Sequence, residues 1–331
     1  VRRWLGQDAA AREFRRLLAV YASSGVTTRA SVVPIEEVFG PADLEGRNDL
    51  YALRAREVAA GLVSRSLRGL GLHPAAVDVM VSTSCTGFMI PAVEALVADE
   101  LGMGPRLVRL PITEAGCAAG VLALARAADH LRVHPERLAV VLALEFPSLT
   151  FQGGDRSPAN VVATALFGDG AACVVMAGGR HPLARQARAF WLADESRFFP
   201  GTTHLMGFRL RNTGLQIVLD RALAGFVRRE VGAAVDAFLA GAGAERGQVS
   251  RFVLHPGGRR IVEALREELT LSEADLSPTC SVLAEHGNMS SVTVLFVLEE
   301  LLRRGVRPAE LGLLAAFGPG FGAELGLVRF A

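Results

Sequence analysis

The chain contains no lysine: all 35 of its basic residues are arginine. That absence excludes a Walker-type phosphate loop, a pyridoxal phosphate Schiff base and a lysine-dependent aldolase, because each needs a primary amine. No two cysteines have CxxC spacing; Cys85, Cys117, Cys173 and Cys280 are scattered. A zinc site and a redox dithiol are therefore not expected, and reduced thiols in a cytoplasmic protein are the simplest reading. Neither sign of charge dominates, since 35 basic residues face 34 acidic ones. Such a balance gives no reason to expect nucleic acid or a membrane surface as partner. A run of about eighteen apolar residues is also missing, so no membrane span is expected. Val1 to Arg16 is arginine-rich and amphipathic and lacks the apolar core of a signal peptide. The first residue is not methionine, so natural residues before Val1 are expected.

What the chain does have is apolar bulk: half of its 331 residues are hydrophobic, enough for one large domain or two closely packed halves. Apolar spacing predicts helices over 50–70, 91–101, 117–131, 215–239, 259–268 and 289–303. Short apolar runs predict strands at 77–82, 106–110, 137–144, 251–254 and 311–317. Strands and helices in alternation imply a covered, mostly parallel sheet. A faint repeat suggests duplication: LFGDGAACVVM (166–176) resembles AFGPGFGAELGLV (316–328), and each reads as a hairpin. The Gly/Arg/Pro-rich stretch 177–200 would divide the chain into halves 1–180 and 181–331.

Three residues stand out chemically. Cys117, in TEAGCAAG, sits at a predicted helix start among small neighbours, where the helix dipole favours a thiolate; a buried structural cysteine fits as well. His255, in VLHPGGRR, follows an apolar strand and precedes a glycine pair, unlike the His-Pro pairs at His73, His134 and His181, which read as surface turns. A turn histidine bonded to the backbone is the competing reading. Asn288, in EHGNMSS, precedes a long apolar helix and is either an N-cap or an amide donor to an oxyanion. His286 reads as structural. GPGFG (318–322) leads into a strand, not a helix, which argues against a dinucleotide loop.

Together these pieces resemble the type III polyketide synthases, the chalcone synthase-like branch of the thiolase-fold condensing enzymes. STSCTGFMIPAVE (82–94), TEAGCAAG (113–120), SLTFQGG (148–154), ALFGDGAA (165–172), RLRNTGLQIVLD (209–220), HPGG (255–258), GNMSS (287–291) and FGPGFG (317–322) carry the likeness, in the family's order. FFPGTTHLMG (198–207) is similar to bacterial members. The resemblance implies an α/β thiolase-like fold of two duplicated βαβαβαββ halves forming a five-layered αβαβα core. It implies a catalytic set of Cys117, His255 and Asn288, with Cys117 holding the acyl chain as a thioester. A neighbouring imidazolium would stabilise its thiolate, and His255 and Asn288 would donate to the malonyl enolate. Phe167 falls on a gatekeeping position. Cys85, Thr86, Thr150, Phe208, Ile217, Leu219, Ser290, Phe317 and Pro319 fall on the substrate pocket, and Arg29 and Arg260 are candidates for the CoA phosphates.

The expected substrates are an acyl-CoA starter and malonyl-CoA, with no metal and no cofactor. A homodimer is implied, with Ile90 reaching the partner's cavity. Ile217 in place of an aromatic should open the pocket, Phe208 in place of glycine should narrow it, and Pro147 stands where a threonine often lines it. The starter reading is a fatty acyl-CoA giving an alkylpyrone or alkylresorcinol, with a malonyl-primed product as rival. Two other readings compete: a ketoacyl-ACP synthase III-like condensing enzyme, and a non-catalytic thiolase-fold subunit that binds acyl-CoA.

Overall fold

A computed structural model describes Trp4, residues 11–39 and residues 43–331. The expectation for Val1 to Arg16 thus falls largely outside the described residues. Two four-stranded sheets form the frame. The first has the order β2-β1-β3-β4, from β1 (Val79–Ser84), β2 (Val108–Thr113), β3 (Leu138–Glu145) and β4 (Gly170–Ala177). The second has the order β5-β10-β9-β8, from β5 (Ala189–Phe198), β8 (Val249–Leu254), β9 (Leu311–Gly318) and β10 (Gly322–Phe330). A separate hairpin joins β6 (Met206–Arg211) to β7 (Gly214–Leu219).

Parity along β3 shows how the sequence builds layers. Leu138, Val140, Leu142 and Leu144 share an apolar cluster with Tyr51, Ala55, Ala59 and Val63 of α3 (Leu44–Gly69). Ala139, Val141 and Ala143 point the other way, into a cluster with Val121, Leu124 and Leu131 of α5 (Ala119–Val133). Strand residues alternate faces, so a strand buried on both sides must be apolar throughout, as this one is until Glu145. The second sheet behaves alike. Leu314, Ala316, Val328 and Phe330 join the central cluster with α10 (Thr293–Arg304), whereas Leu313, Ala315, Leu325 and Leu327 pack outward with α7 (Leu223–Gly241) and α8 (Arg259–Leu269). The result is five layers, with α5 and α10 sandwiched between the sheets.

The duplication is visible in strand pairing. β1 runs parallel to β3 and β3 antiparallel to β4; β8 runs parallel to β9 and β9 antiparallel to β10. Cys85 and His255 follow the equivalent strands β1 and β8, and the segments with Cys117 and Asn288 precede the equivalent central helices α5 and α10. Among the described residues each sheet has four strands, one fewer than the expected βαβαβαββ half supplies.

Three local expectations need correction. Residues 215–219 are not helical: Leu215, Ile217 and Leu219 are alternating residues of β7, the positive φ of Gly214 (116°) turns the hairpin, and the helix starts only at Leu223. LFGDGAACVVM is not a hairpin. Leu166 ends α6 (Pro158–Leu166), and β4 pairs back onto β3. GPGFG does join a hairpin, with Gly318 opposite Gly322. Cys117 and the residues just after Asn288 lie in single 3-10 turns, Gly116–Ala118 and Ser290–Val292, ahead of helices that begin at Ala119 and Thr293.

Candidate active site

Cys117 is held by close approach of three loops. Gly116 has φ 54°, and a Cβ there would strike the ring of Pro319; a Cβ on Gly120 would strike the Ser291 carbonyl. Glycine therefore lets the Cys117 turn touch both the β9–β10 turn and the Ser290–Val292 turn. Cys117 is 6 % exposed and lines a cavity of about 230 Å³ together with His255 and Asn288.

His255 leaves the end of β8 with its backbone N–H donating to the Ala315 carbonyl at 2.9 Å. Its ring is buried, 2 % exposed, and neither ring nitrogen has a partner within the protein. That sets it apart from His73 and His181, whose Nδ1 atoms accept from the backbone N–H of Ala75 and Leu183 and cap surface turns. His286 packs edge-on against Phe296. A buried imidazole with two unsatisfied nitrogens costs stability unless a ligand uses it.

Asn288 is pinned on both sides. Its backbone N–H donates to the Leu166 carbonyl at 2.8 Å, and its carbonyl accepts from Gly168 at 3.0 Å, which links it to the Phe167 loop. Its Oδ1 accepts from the Ser290 N–H at 2.8 Å and from Thr293 Oγ1 at 3.4 Å. With the oxygen held, the amide NH₂ is the end left to face the cavity, which Cys117 and Ser290 also line.

Electrostatics at these two side chains follow from their burial. Burial pushes the Cys117 thiol up to about 12, against the pull of Ser290 and Asn288. Burial likewise pushes the His255 imidazole down to about 3. Each group alone stays neutral. A proton passed from Sγ to the imidazole puts opposite charges in one cavity, and their attraction acts against both penalties.

The other expected pocket residues divide as follows. Cys85, Thr86, Thr150, Phe167, Phe208, Ile217, Leu219, Ser290, Phe317, Pro319 and Arg29 line the cavity with the three central residues, as does Pro147. Arg29 also donates from Nη1 to the Phe167 carbonyl at 3.3 Å. Arg260 is exposed on the first turn of α8 and does not line the cavity; the helix turns its neighbour Ile261 inward instead. Ile90 is fully exposed and lies outside its own chain's cavity. Phe208 and Ile217 are direct cross-strand partners, so the narrowing and the opening residue act at one place.

Sequence reasoning passed over Glu145. This carboxylate is fully buried and accepts from Ser291 Oγ (2.7 Å), Thr86 Oγ1 (2.9 Å) and the Cys85 N–H (3.0 Å). It ties β1, β3 and the Ser290–Val292 turn together beneath Cys117, and burial raises its pKa. The readable signal was a charge closing an otherwise apolar strand. Asp169 was also missed; it accepts from Ser148 N–H and Val32 N–H, each at 2.8 Å, and fastens the cavity rim. Among the described residues no group of three His, Cys, Asp or Glu could hold a metal, and no helix is long and apolar enough to cross a membrane.

Comparison with known proteins agrees with this geometry. The model of the chalcone and stilbene synthase N-terminal domain matches residues 34–180, and that of the C-terminal domain matches residues 192–330. The chain is 37% identical over 318 residues to 1,3,6,8-tetrahydroxynaphthalene synthase of Streptomyces peucetius, covering 95% of this chain and 83% of that one. It is 33% identical over 308 residues to phloroglucinol synthase of Pseudomonas fluorescens, covering 92% and 86%. The crystal structure of tetrahydroxynaphthalene synthase from Streptomyces coelicolor superposes with a TM-score of 0.92 at 30% identity, covering 99% of this chain and 92% of that one. The chain therefore belongs to the chalcone and stilbene synthase family of type III polyketide synthases, acyltransferases with a thiolase-like fold.

Proposed function

We propose that the protein loads a short acyl or malonyl group onto Cys117, extends it with malonyl-CoA and closes the chain to a compact aromatic product. The observation that carries this reading is the shared chamber: one buried thiol, one unpartnered imidazole and one oriented amide. In loading, the Cys117 sulfur attacks the thioester carbonyl, the bond to CoA breaks, and the proton taken by His255 leaves with the CoA thiolate. In extension, malonyl-CoA loses CO₂ and the electron pair moves onto the thioester oxygen. His255 N–H and the Asn288 amide are the donors for that enolate, because both offer N–H groups without adding negative charge. The enolate carbon attacks the Cys117 thioester, expels the thiolate, and leaves the longer chain on CoA for return to Cys117. Arg29, at the exposed rim, is the candidate for a CoA phosphate.

Cavity size selects the starter within this scheme. About 230 Å³ lies below the usual ligand pocket of roughly 300–1,000 Å³. That favours the malonyl-primed reading over the fatty acyl starter expected from Ile217, and Phe208 facing Ile217 supplies the reason. Likeness to the tetrahydroxynaphthalene and phloroglucinol synthases points the same way. The test is labelled malonyl-CoA, alone and with acetyl-, hexanoyl- or dodecanoyl-CoA, beside Cys117→Ala. Product from malonyl-CoA alone or with the short starters, and none from the variant, is expected. Product from dodecanoyl-CoA only would restore the alkylpyrone reading, and turnover of carrier-bound substrate only would favour the synthase III-like one.

A further inference from the structure

The cavity is long in one direction, and α6 measures it. Leu166, at the C-terminal end of this helix, accepts the Asn288 backbone N–H. Asn160, in its first turn, donates from Nδ2 to the Gln152 carbonyl at 2.8 Å. Both residues line the cavity, and so do Val162 and Ala163 between them. The nine residues of α6 span roughly 13 Å at 1.5 Å per residue. The chamber thus runs along the helix from the catalytic end to a second end beside Phe151.

That second end is built of aromatic rings in two ranks. Phe151 and Phe39 line the cavity and meet edge to face at 5.0 Å between centroids. Trp4 does not line the cavity; it stands behind Phe151 with its ring edge-on at 5.5 Å. Three contacts hold Trp4 there: its Nε1–H donates to the Gly153 carbonyl at 2.8 Å, its own carbonyl accepts from Arg156 at 2.8 Å, and the Arg156 guanidinium lies 4.6 Å from its ring centroid. Edge-to-face pairs and a cation over an indole are specific geometries, so this is a braced wall and not loose filling.

We infer that Phe151, backed by Trp4, is the stop that sets the length of acyl chain the chamber accepts. The inference rests on the reading above that Cys117 takes up the acyl group. An acyl chain anchored on the sulfur and laid along α6 meets Phe151 end-on. Removing the Phe151 ring leaves an apolar void continuous with the cavity, removing the Trp4 ring leaves one into which Phe151 can retreat, and such voids take apolar ligands in preference to water.

Acyl uptake, read by intact-protein mass after exposure to acetyl-, hexanoyl- or dodecanoyl-CoA without malonyl-CoA, isolates this step. The parent should load acetyl and hexanoyl groups and discriminate against dodecanoyl. Phe151→Ala and Trp4→Ala should each raise the ratio of dodecanoyl to acetyl loading about tenfold or more, and Phe151→Trp should lower the ratio of hexanoyl to acetyl loading. Because the last variant adds bulk, it reports even if the truncations fail to fold. A parent that loads acyl groups while the folded variants keep its length profile overturns this inference alone. A parent that loads nothing from any thioester overturns the enzymatic reading on which it rests.

Discussion

At the scale of single residues, the proposed chemistry couples Cys117 to His255. Burial alone would send the thiol to about 12, which leaves a negligible thiolate fraction near neutrality. His255→Gln removes the imidazole that lines the cavity with the sulfur and keeps a hydrogen-bonding side chain. Only the thiolate reacts, and its fraction falls about tenfold for each pH unit below the pKa, so a higher pKa moves the reactive limb to higher pH. Iodoacetamide labelling of Cys117 should therefore shift toward alkaline pH in that variant and slow at pH 7 by about 10²-fold or more. Superimposable pH profiles for parent and variant would show that the imidazole does not share the sulfur's proton. Cys117, His255 and Asn288 were legible because each interrupts an apolar element with small or turn-forming neighbours. Glu145 was not, because its meaning depends on donors from Ser291, Thr86 and Cys85, all of which lie in other segments of the chain.

At the scale of elements, the turn at Gly116 carries the most weight. It has φ 54° and leaves no room for a side chain against Pro319. Gly116→Ala should displace the Cys117 turn and lower turnover by roughly 10²-fold, the order expected for a misplacement near 1 Å. Circular dichroism should stay unchanged; parental turnover in a folded variant would show that the turn tolerates the shift. Helix and strand periods were readable where the apolar run was long, as in α3 and β3. They misled at residues 215–219, where a five-residue alternation abuts a helix, and at 166–176, where the pairing partner is β3 and not the neighbouring segment. Short apolar runs satisfy both periods, and only the partner strand removes the ambiguity.

For the whole molecule, the exposed surface argues for a second copy of the chain. β2 is an edge strand with Val108 and Leu110 exposed, and Phe88 and Ile90 are exposed in the loop after β1. An uncovered edge with apolar side chains invites strand pairing and is rarely left open in a monomer. We propose that two chains associate through this face, with Ile90 entering the partner. Light scattering should give the mass of a dimer, and Leu110→Arg with Ile90→Glu should shift it toward monomer. A parent that is monomeric at micromolar concentration would remove the proposal. The sequence by itself determined the alternation of elements, the three central residues and the duplicated plan, since each depends on local spacing or on a motif of a few residues. Only the tertiary structure decided how wide the chamber is, that Phe208 opposes Ile217, that Arg260 points away and that Phe151 closes the far end. Those facts depend on the register of a hairpin, the rotation of a helix and the meeting of side chains from segments distant along the chain, and a linear pattern measures none of these.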